Sequence, residues 1–249
     1  MGKIRVMVTT RLKAIYFFFT GVVSFPDMFF ALFPVFAKTK NGVNVLQPLT
    51  TVYGHPFVGY PFHAAWEIIK CNAYHEELIR KNGIVIDAGA NMGVFSILAA
   101  RKHPDATIYA FEPTPSTFAA MKENTKYYPN ITAVNCGLGE SERDATIVID
   151  PGNHVGNHIG EGGVPVKIRT IDGMNIRVDF IKMDTEGYEA QIITGAKETI
   201  KKYKPVIAMS AYHKPNDKTE LPALLKSICS GYVCELRHDC DPDLICRCD

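Results

Sequence analysis

The sequence lacks an excess of either charge: 27 Lys and Arg face 26 Asp and Glu, interspersed over 249 residues for a net charge of +1. Proteins that track a polyanion concentrate basic residues on one face or stripe. Without one, the composition turns away from nucleic acid and towards a small-molecule or glycan partner. A CxxC pair is also missing. Of seven cysteines, five crowd the last 21 residues (Cys229, Cys234, Cys240, Cys246 and Cys248). Reduced thiols on a terminal hairpin are expected, with a zinc cluster including His238 as the alternative. There are no repeats or low-complexity tracts.

Nor is there an unbroken apolar run of the ~20 residues that cross a bilayer. Residues 14–37, "AIYFFFTGVVSFPDMFFALFPVFA", carry Asp27 as their one charge, but Pro26 and Pro34 interrupt them. Their basic flank matches the start of a signal peptide, without a clear small-residue cleavage site. Short helices packed on the catalytic body are one reading; peripheral membrane contact through residues 14–37 is the other. The expected location is cytoplasmic, with membrane association as its variant. The Asn130-Ile131-Thr132 sequon matters only in a secreted chain.

Two parts are expected: an N-terminal extension over 1–75 and a catalytic domain over 76–249. In the first, a turn at Asn41-Gly42 leads to a short strand. "HAAWEIIKCNAYHEELIRKNG" reads as helical, closed by Gly83. Alternation follows, with strands at Ile84–Ile86, "TIYAF" and "ITAVN" and helices at Met92–Lys102 and "STFAAMKENTKYY". "ATIVID" and "VPVKIRTI" are β-like around the Gly/Asn/His-rich loop "PGNHVGNHIGEGG". "VDFIKM" and "PVIAMSA" are strands, "GYEAQIITGAKETIKKY" and "LPALLKSI" helices, and "GYVCELRH" with "DLICRC" a closing hairpin. Strands alternating with helices specify a mostly parallel sheet covered on both faces.

In such a sheet the ligand sits at the carboxyl end of the first strand, here "DAGANMG". A dinucleotide turn needs G-x-G-x-x-G, but counting from Gly89 the chain has Asn91 and Val94 at the later glycine positions. Asp87 would repel a pyrophosphate and attract a ligand carrying an ammonium group instead. D-x-G-x-N-x-G is a variant of the glycine motif that binds S-adenosylmethionine. An acid for the ribose hydroxyls should end the next strand, and Glu112 stands there, 19 residues after Gly93.

Methyl transfer requires an aligned acceptor and, for a hydroxyl, a home for its proton. Candidates belong at the ends of the later strands. Asp184, Glu186 and Glu189 place three carboxylates within six residues, a repulsive arrangement that Lys182 offsets in part. Helix capping by Asp184 or Thr185 is the bland alternative. Ser210, Tyr212 and His213 end the next strand, and His213 has a pKa suited to proton abstraction; a structural histidine is the alternative. His154 and His158 fall in the Gly/Asn-rich loop, read as a rim over the substrate rather than a metal site.

Together, "VIDAGANMGVFSI", "AFEPTPSTFAAMKEN", "ITAVNCGLGE", "DFIKMDTEGYEAQIITGA" and "IAMSAYHKPND" resemble the FkbM family of S-adenosylmethionine-dependent methyltransferases, over about Gly83 to His238. The resemblance implies a Rossmann-like α/β fold, seven strands with an antiparallel terminal hairpin, and O-methylation of a hydroxyl on a sugar, glycan or secondary metabolite. It implies that Asp87, Gly89, Ala90, Asn91, Gly93, Glu112, Pro113, Gly137 and Leu138 line the cofactor, and that Asp184, Glu186 and His213 face the acceptor. No metal ligands are assigned, and whether the carboxylates recruit a divalent metal stays open. Many members carry Glu near the end of the fifth strand, where this chain has Ser210-Ala211. Two rivals stand beside this reading. One is an NAD-linked oxidoreductase, disfavoured by Asn91 and Asp87. The other is an inactive, membrane-associated binding protein with a methyltransferase-like fold.

Overall fold

The chain divides into two units, Met1–Lys70 and Cys71–Asp249. The computed structural model describes residues 50–52, 55–57, 62–149, 158–237 and 241–248. The apolar segment 14–37, the strand expected after Asn41-Gly42, His154, His238 and Cys240 lie outside them. In the first unit β1 (Thr50–Val52) pairs antiparallel with β2 (His55–Phe57), and one helical turn, α1 (Phe62–Ala65), runs into a π turn over Trp66–Lys70.

The helix expected to continue to Gly83 does not. Asn72, His75 and Asn82 take φ values of 51°, 48° and 52°, the left-handed region that an α-helix excludes. A single 3₁₀ turn at Glu76–Leu78 is the only helical piece between Cys71 and Gly83.

From Ile84 the alternation holds. β3 (Ile84–Ala88), α2 (Val94–Lys102), β4 (Thr107–Phe111), α3 (Pro115–Thr125) and β5 (Ile131–Val134) follow in turn. Four strands then leave the main sheet: β6 (Gly137–Leu138), β7 (Arg143–Val148), β8 (His158–Ile159) and β9 (Val164–Arg169). The chain returns through β10 (Phe180–Met183), α4 (Glu189–Gly195), α5 (Lys197–Tyr203), β11 (Val206–Ser210), α6 (Asp217–Ile228), β12 (Tyr232–Arg237) and β13 (Asp243–Cys248).

The main sheet has seven strands in the order β12-β13-β11-β10-β3-β4-β5. β3, β4, β5, β10 and β11 run parallel, and β13 is antiparallel to both of its neighbours. All four residues of β10 are buried, as are the last four of β3 and of β11, which is why these segments read as apolar runs. From β3 the chain moves out through β4 and β5, then crosses back to β10 on the other side. The switch in strand order therefore lies between β3 and β10, where α/β sheets bind ligands.

The four inserted strands form their own sheet, ordered β6-β9-β7-β8. β9 buries Val166 and Ile168 and exposes the residues between them, so this sheet packs one face only. The helix expected over "GYEAQIITGAKETIKKY" is two helices. A Cβ on Gly195 would lie 1.9 Å from the Gly139 carbonyl oxygen, and the Asp172 carboxylate accepts the Glu198 and Thr199 N–H groups at 2.9 and 2.8 Å. A cap supplied from outside starts α5 afresh.

The terminal hairpin forms as expected, but its cysteines are not all thiols: Cys234 and Cys246 are joined by a disulfide, and Cys71 is also disulfide-bonded. Opposed across the β12–β13 ladder, Cys234 and Cys246 are brought together by register, which odd counting could not reveal.

Candidate active site

The turn after β3 is built by three left-handed residues. Gly89 has φ +71°, and a Cβ there would meet the Asp184 carbonyl oxygen at 1.9 Å, so glycine alone lets the ends of β3 and β10 close up. Asn91 follows at φ 50°, its Oδ1 accepting the Met92 N–H at 2.7 Å, and Gly93 at φ 87° begins α2. The Gly89 and Ala90 N–H groups donate to the Phe111 carbonyl at 3.1 and 2.9 Å, tying the turn to the end of β4.

Lys182 holds the same turn from β10. Its Nζ donates to the Gly89 carbonyl at 2.8 Å and lies 3.1 Å from Asp87 Oδ1, its register partner on β3. Asp87 Oδ2 accepts the Ser96 hydroxyl at 2.6 Å. Asp87 is thus fully buried beneath the turn and matched to a buried cation. It does not reach the cleft wall. Lys182 serves Asp87, not the carboxylates that follow it in sequence.

The cleft opens beside this turn. Gly89, Asn91 and Glu112 line one side; Phe111, Pro113 and Leu138 line the next, with Gly137 between. Ile147 and Ile159 of the inserted sheet close over them, and Asp184, Glu186 and Tyr188 form the far end. Glu112 Oε2 accepts the Asn91 N–H at 3.0 Å and Oε1 the Thr114 N–H at 2.9 Å. With the Thr114 hydroxyl as a further donor, these bonds fix the carboxyl group and use most, not all, of its four lone-pair sites. Burial raises the Glu112 pKa, more than those N–H bonds and the Lys182 charge lower it.

Asp184 is gripped by two hydroxyls. Tyr74 donates to Oδ2 at 2.9 Å and Ser210 to Oδ1 at 3.2 Å, and the two hydroxyl oxygens are 3.1 Å apart. Burial, then the charge of Asp184, push the Tyr74 pKa well above its usual value, so Tyr74 remains a donor. Glu186 and Gly187 are consecutive left-handed residues, φ 55° and 89°; a non-glycine residue held there is backbone strain of a kind that gathers at functional sites. Neither Asp184 nor Thr185 caps α4, whose first turn has no side-chain cap. Glu189 instead reaches back, its Oε1 accepting the Thr185 N–H and hydroxyl at 2.9 and 3.0 Å.

His213 lies behind this acidic end, its side chain 7% exposed. Nδ1 is 3.0 Å from the buried Glu189 carboxylate. Nε2 makes no hydrogen bond, and Asp184 Oδ1 and Glu186 Oε2 stand 3.5 and 3.7 Å from it. Burial alone would depress the His213 pKa. The Glu189 hydrogen bond and charge, then Asp184 and Glu186, outweigh it and raise the value. Burial likewise works to raise Glu189, but His213 and the Thr185 N–H bring it below the ordinary carboxylate range. The geometry assigns Nδ1–H to Glu189 and turns Nε2 towards the cleft acids.

Of the residues expected to line the cofactor, Gly89, Asn91, Glu112, Pro113, Gly137 and Leu138 are on the wall. Asp87 is not. Gly93 starts α2, and Ala90 is buried against Ala110 and Met121. Asp184 and Glu186 share the wall, with His213 a layer behind. Tyr74 and Glu189 were missing from the sequence-based set. Tyr74 is 110 residues from Asp184, and no local spacing rule reaches that far. In sequence Glu189 reads as a third repelling acid; its i+4 relation to Thr185 is the available signal. Among the described residues no group of three His, Cys, Asp or Glu side chains has a metal-holding arrangement, and none of their helices is long and apolar enough to cross a membrane.

Residues 87–234 match the Methyltransferase FkbM domain family. The chain is 26% identical over 174 residues to the hexuronic acid methyltransferase AglP of Haloferax volcanii, covering 66% of this chain and 71% of that one. Methyltransferase 1 of Beauveria bassiana is 35% identical over 72 residues, 28% of this chain and 29% of its own length. The crystal structure of methyltransferase FkbM from Methylobacillus flagellatus superposes with a TM-score of 0.53 at 23% identity, covering 75% of this chain and 53% of that chain. The chain therefore spans less than two thirds of the latter two proteins.

Proposed function

The chain belongs to the FkbM family of S-adenosylmethionine-dependent methyltransferases, and from that premise we propose that it methylates a hydroxyl on a sugar, glycan or secondary metabolite. One observation carries this reading: a carboxylate pair on the cleft wall, Asp184 and Glu186, backed by a histidine whose Nε2 makes no hydrogen bond. A hydroxyl acceptor needs hydrogen-bond acceptors to align it and a base to take its proton.

The wall fits the methyl donor. Phe111, Pro113, Leu138 and Ile147 offer apolar surface for a purine, and Glu112 retains acceptor capacity for a ribose diol. When bound, S-adenosylmethionine supplies an electrophilic methyl group on a sulfonium centre. The protein's own residues do the rest. Asp184, immobilised by Tyr74 and Ser210, and Glu186 orient the acceptor hydroxyl. As the new C–O bond forms, the oxygen becomes acidic and its proton passes to this carboxylate pair and on to His213 Nε2. Glu189 stabilises the resulting imidazolium. The name of AglP includes a hexuronic acid, which supports a sugar acceptor here. The acidic wall favours a neutral ring beside the reacting hydroxyl, since a substrate carboxylate there would meet Asp184 and Glu186.

Calorimetry with S-adenosylmethionine, with NADH as control, on wild type and Glu112→Ala is the first test. Binding of the sulfonium ligand alone is expected, weakened about tenfold in the variant, on the order of 1.4 kcal/mol for hydrogen bonds lost at a charged group. Donor-dependent methylation is then assayed on neutral hexosides and hexuronides. Donor binding without transfer to any hydroxylated acceptor, and with transfer to an amine or thiol instead, would refute the O-methylation reading.

A further inference from the structure

Outside the cleft, the densest chemistry in the molecule is sulfur at the far edge of the main sheet. Cys234 and Cys246 are already bonded across the β12–β13 ladder. Cys229 caps the C-terminus of α6, and the turn closed by the Tyr232 N–H on the Cys229 carbonyl, at 3.2 Å, folds it back over the start of β12. Cys248, on β13, is the register partner of Tyr232. The Cys229 and Cys248 sulfurs consequently stand 3.5 Å apart, both half-exposed. A disulfide needs about 2.05 Å, a closure of roughly 1.5 Å. The remaining thiol among the described residues, Cys136, is buried near β6, and burial pushes it up to about 11. It does not compete.

We infer that Cys229 and Cys248 close a further disulfide beside Cys234–Cys246, and that the chain matures in an oxidising compartment. Three independent observations converge. The Cys234–Cys246 bond and the bonded state of Cys71 belong to compartments where disulfides persist. The 3.5 Å sulfur pair is poised for one more. The sequence of residues 11–37 opens with Arg11 and Lys13 and continues as an apolar run with one charge, the order of features in a secretory signal. In the bond-forming step a thiolate attacks the disulfide of a thiol–disulfide oxidoreductase, giving a mixed disulfide. The second thiolate displaces the oxidoreductase sulfur, so two electrons and two protons leave this chain and the oxidoreductase becomes a dithiol. The new bond ties the end of α6 to β13 across 19 residues.

This inference does not rest on the methyl-transfer reading, and its test involves no turnover. The full chain is harvested from its own cells directly into N-ethylmaleimide, denatured, digested with trypsin without reduction and mapped by mass spectrometry. Cleavage after Lys226, Arg237 and Arg247 separates the peptide 227–237 from the one that begins at Cys248. The expected result is that these two travel together through Cys229, with no maleimide on either sulfur. A Cys229→Ser chain should then carry maleimide on Cys248 while Cys234–Cys246 persists. The purified wild type should also melt about 5 °C or more above a C229S/C248S chain, a difference abolished by reductant. Maleimide on both Cys229 and Cys248 in wild type overturns the additional bond. Maleimide on Cys234 and Cys246 as well overturns the oxidising compartment.

Discussion

At the residue scale, the raised pKa of His213 gives the proposed proton transfer a pH signature. A base must be neutral to receive a proton, so methyl transfer should rise with pH through the His213 pKa, which its acidic neighbours raise above the ordinary imidazole value. Glu189 provides the largest of the raising influences, by hydrogen bond and by charge. Glu189→Gln keeps the shape and removes the charge, so the rising limb of the kcat–pH profile should move to lower pH, with a smaller plateau because the imidazolium loses its partner. An unmoved limb would show that His213 is not the titrating base. The legibility of these residues differs. That His213, Asp184 and Glu186 gather at one place was legible because acid and imidazole at strand ends are chemical signals in themselves. Tyr74 could not, because its contact with Asp184 is made across the fold, and the burial of Asp87 against Lys182 is not legible because a strand-end carboxylate looks the same whether it faces a cleft or a buried lysine.

At the scale of elements, the Asp87–Lys182 pair clamps β3 to β10 under the glycine turn, with both side chains nearly or wholly buried. Removing one partner leaves an uncompensated buried charge, a loss of roughly 3–5 kcal/mol. Lys182→Met should therefore lower the denaturant midpoint strongly and also weaken donor binding, because the Gly89 carbonyl loses its donor. Lys182→Met with Asp87→Asn should regain much of the stability but not the binding. Equal recovery of both would mean the turn needs no tether. The elements themselves were largely readable where apolar runs and turn residues coincide, as in β3, β4, β10 and β11. Reading failed where tertiary contacts overrule periodicity: at Asn72 and His75, which break an amphipathic-looking stretch, and at Gly195, where close approach to Gly139 splits one periodic segment into α4 and α5.

At the scale of the whole molecule, the parallel sheet follows from alternation, and the hairpin from its two β-rich segments. The inserted β6–β9 sheet did not announce itself: β7 and β9 read as strands, the two-residue β6 and β8 did not, and nothing local says which sheet a strand joins. It matters for function, since Ile147 and Ile159 bring its surface to the cleft. Enlarging the side chain at Ile159 to Trp should raise KM for the acceptor or donor with the fold intact, as judged by an unchanged melting temperature. An unchanged KM would place the insertion outside the binding surface.

Among the described residues, the charged side chains on the cleft wall are Glu112, Asp184 and Glu186, all acids. The methyl donor is a cation at sulfur, and the demethylated product is a neutral thioether. In the proposed reaction each turnover therefore removes the sulfonium share of the Coulomb attraction to these acids, while the ammonium group of the spent molecule keeps its own. Exchange of spent for fresh donor gains a direction from charge, without any moving part. Raising the salt concentration should then weaken binding of the donor more steeply than that of the product; parallel salt slopes for the two would show that the wall does not tell them apart.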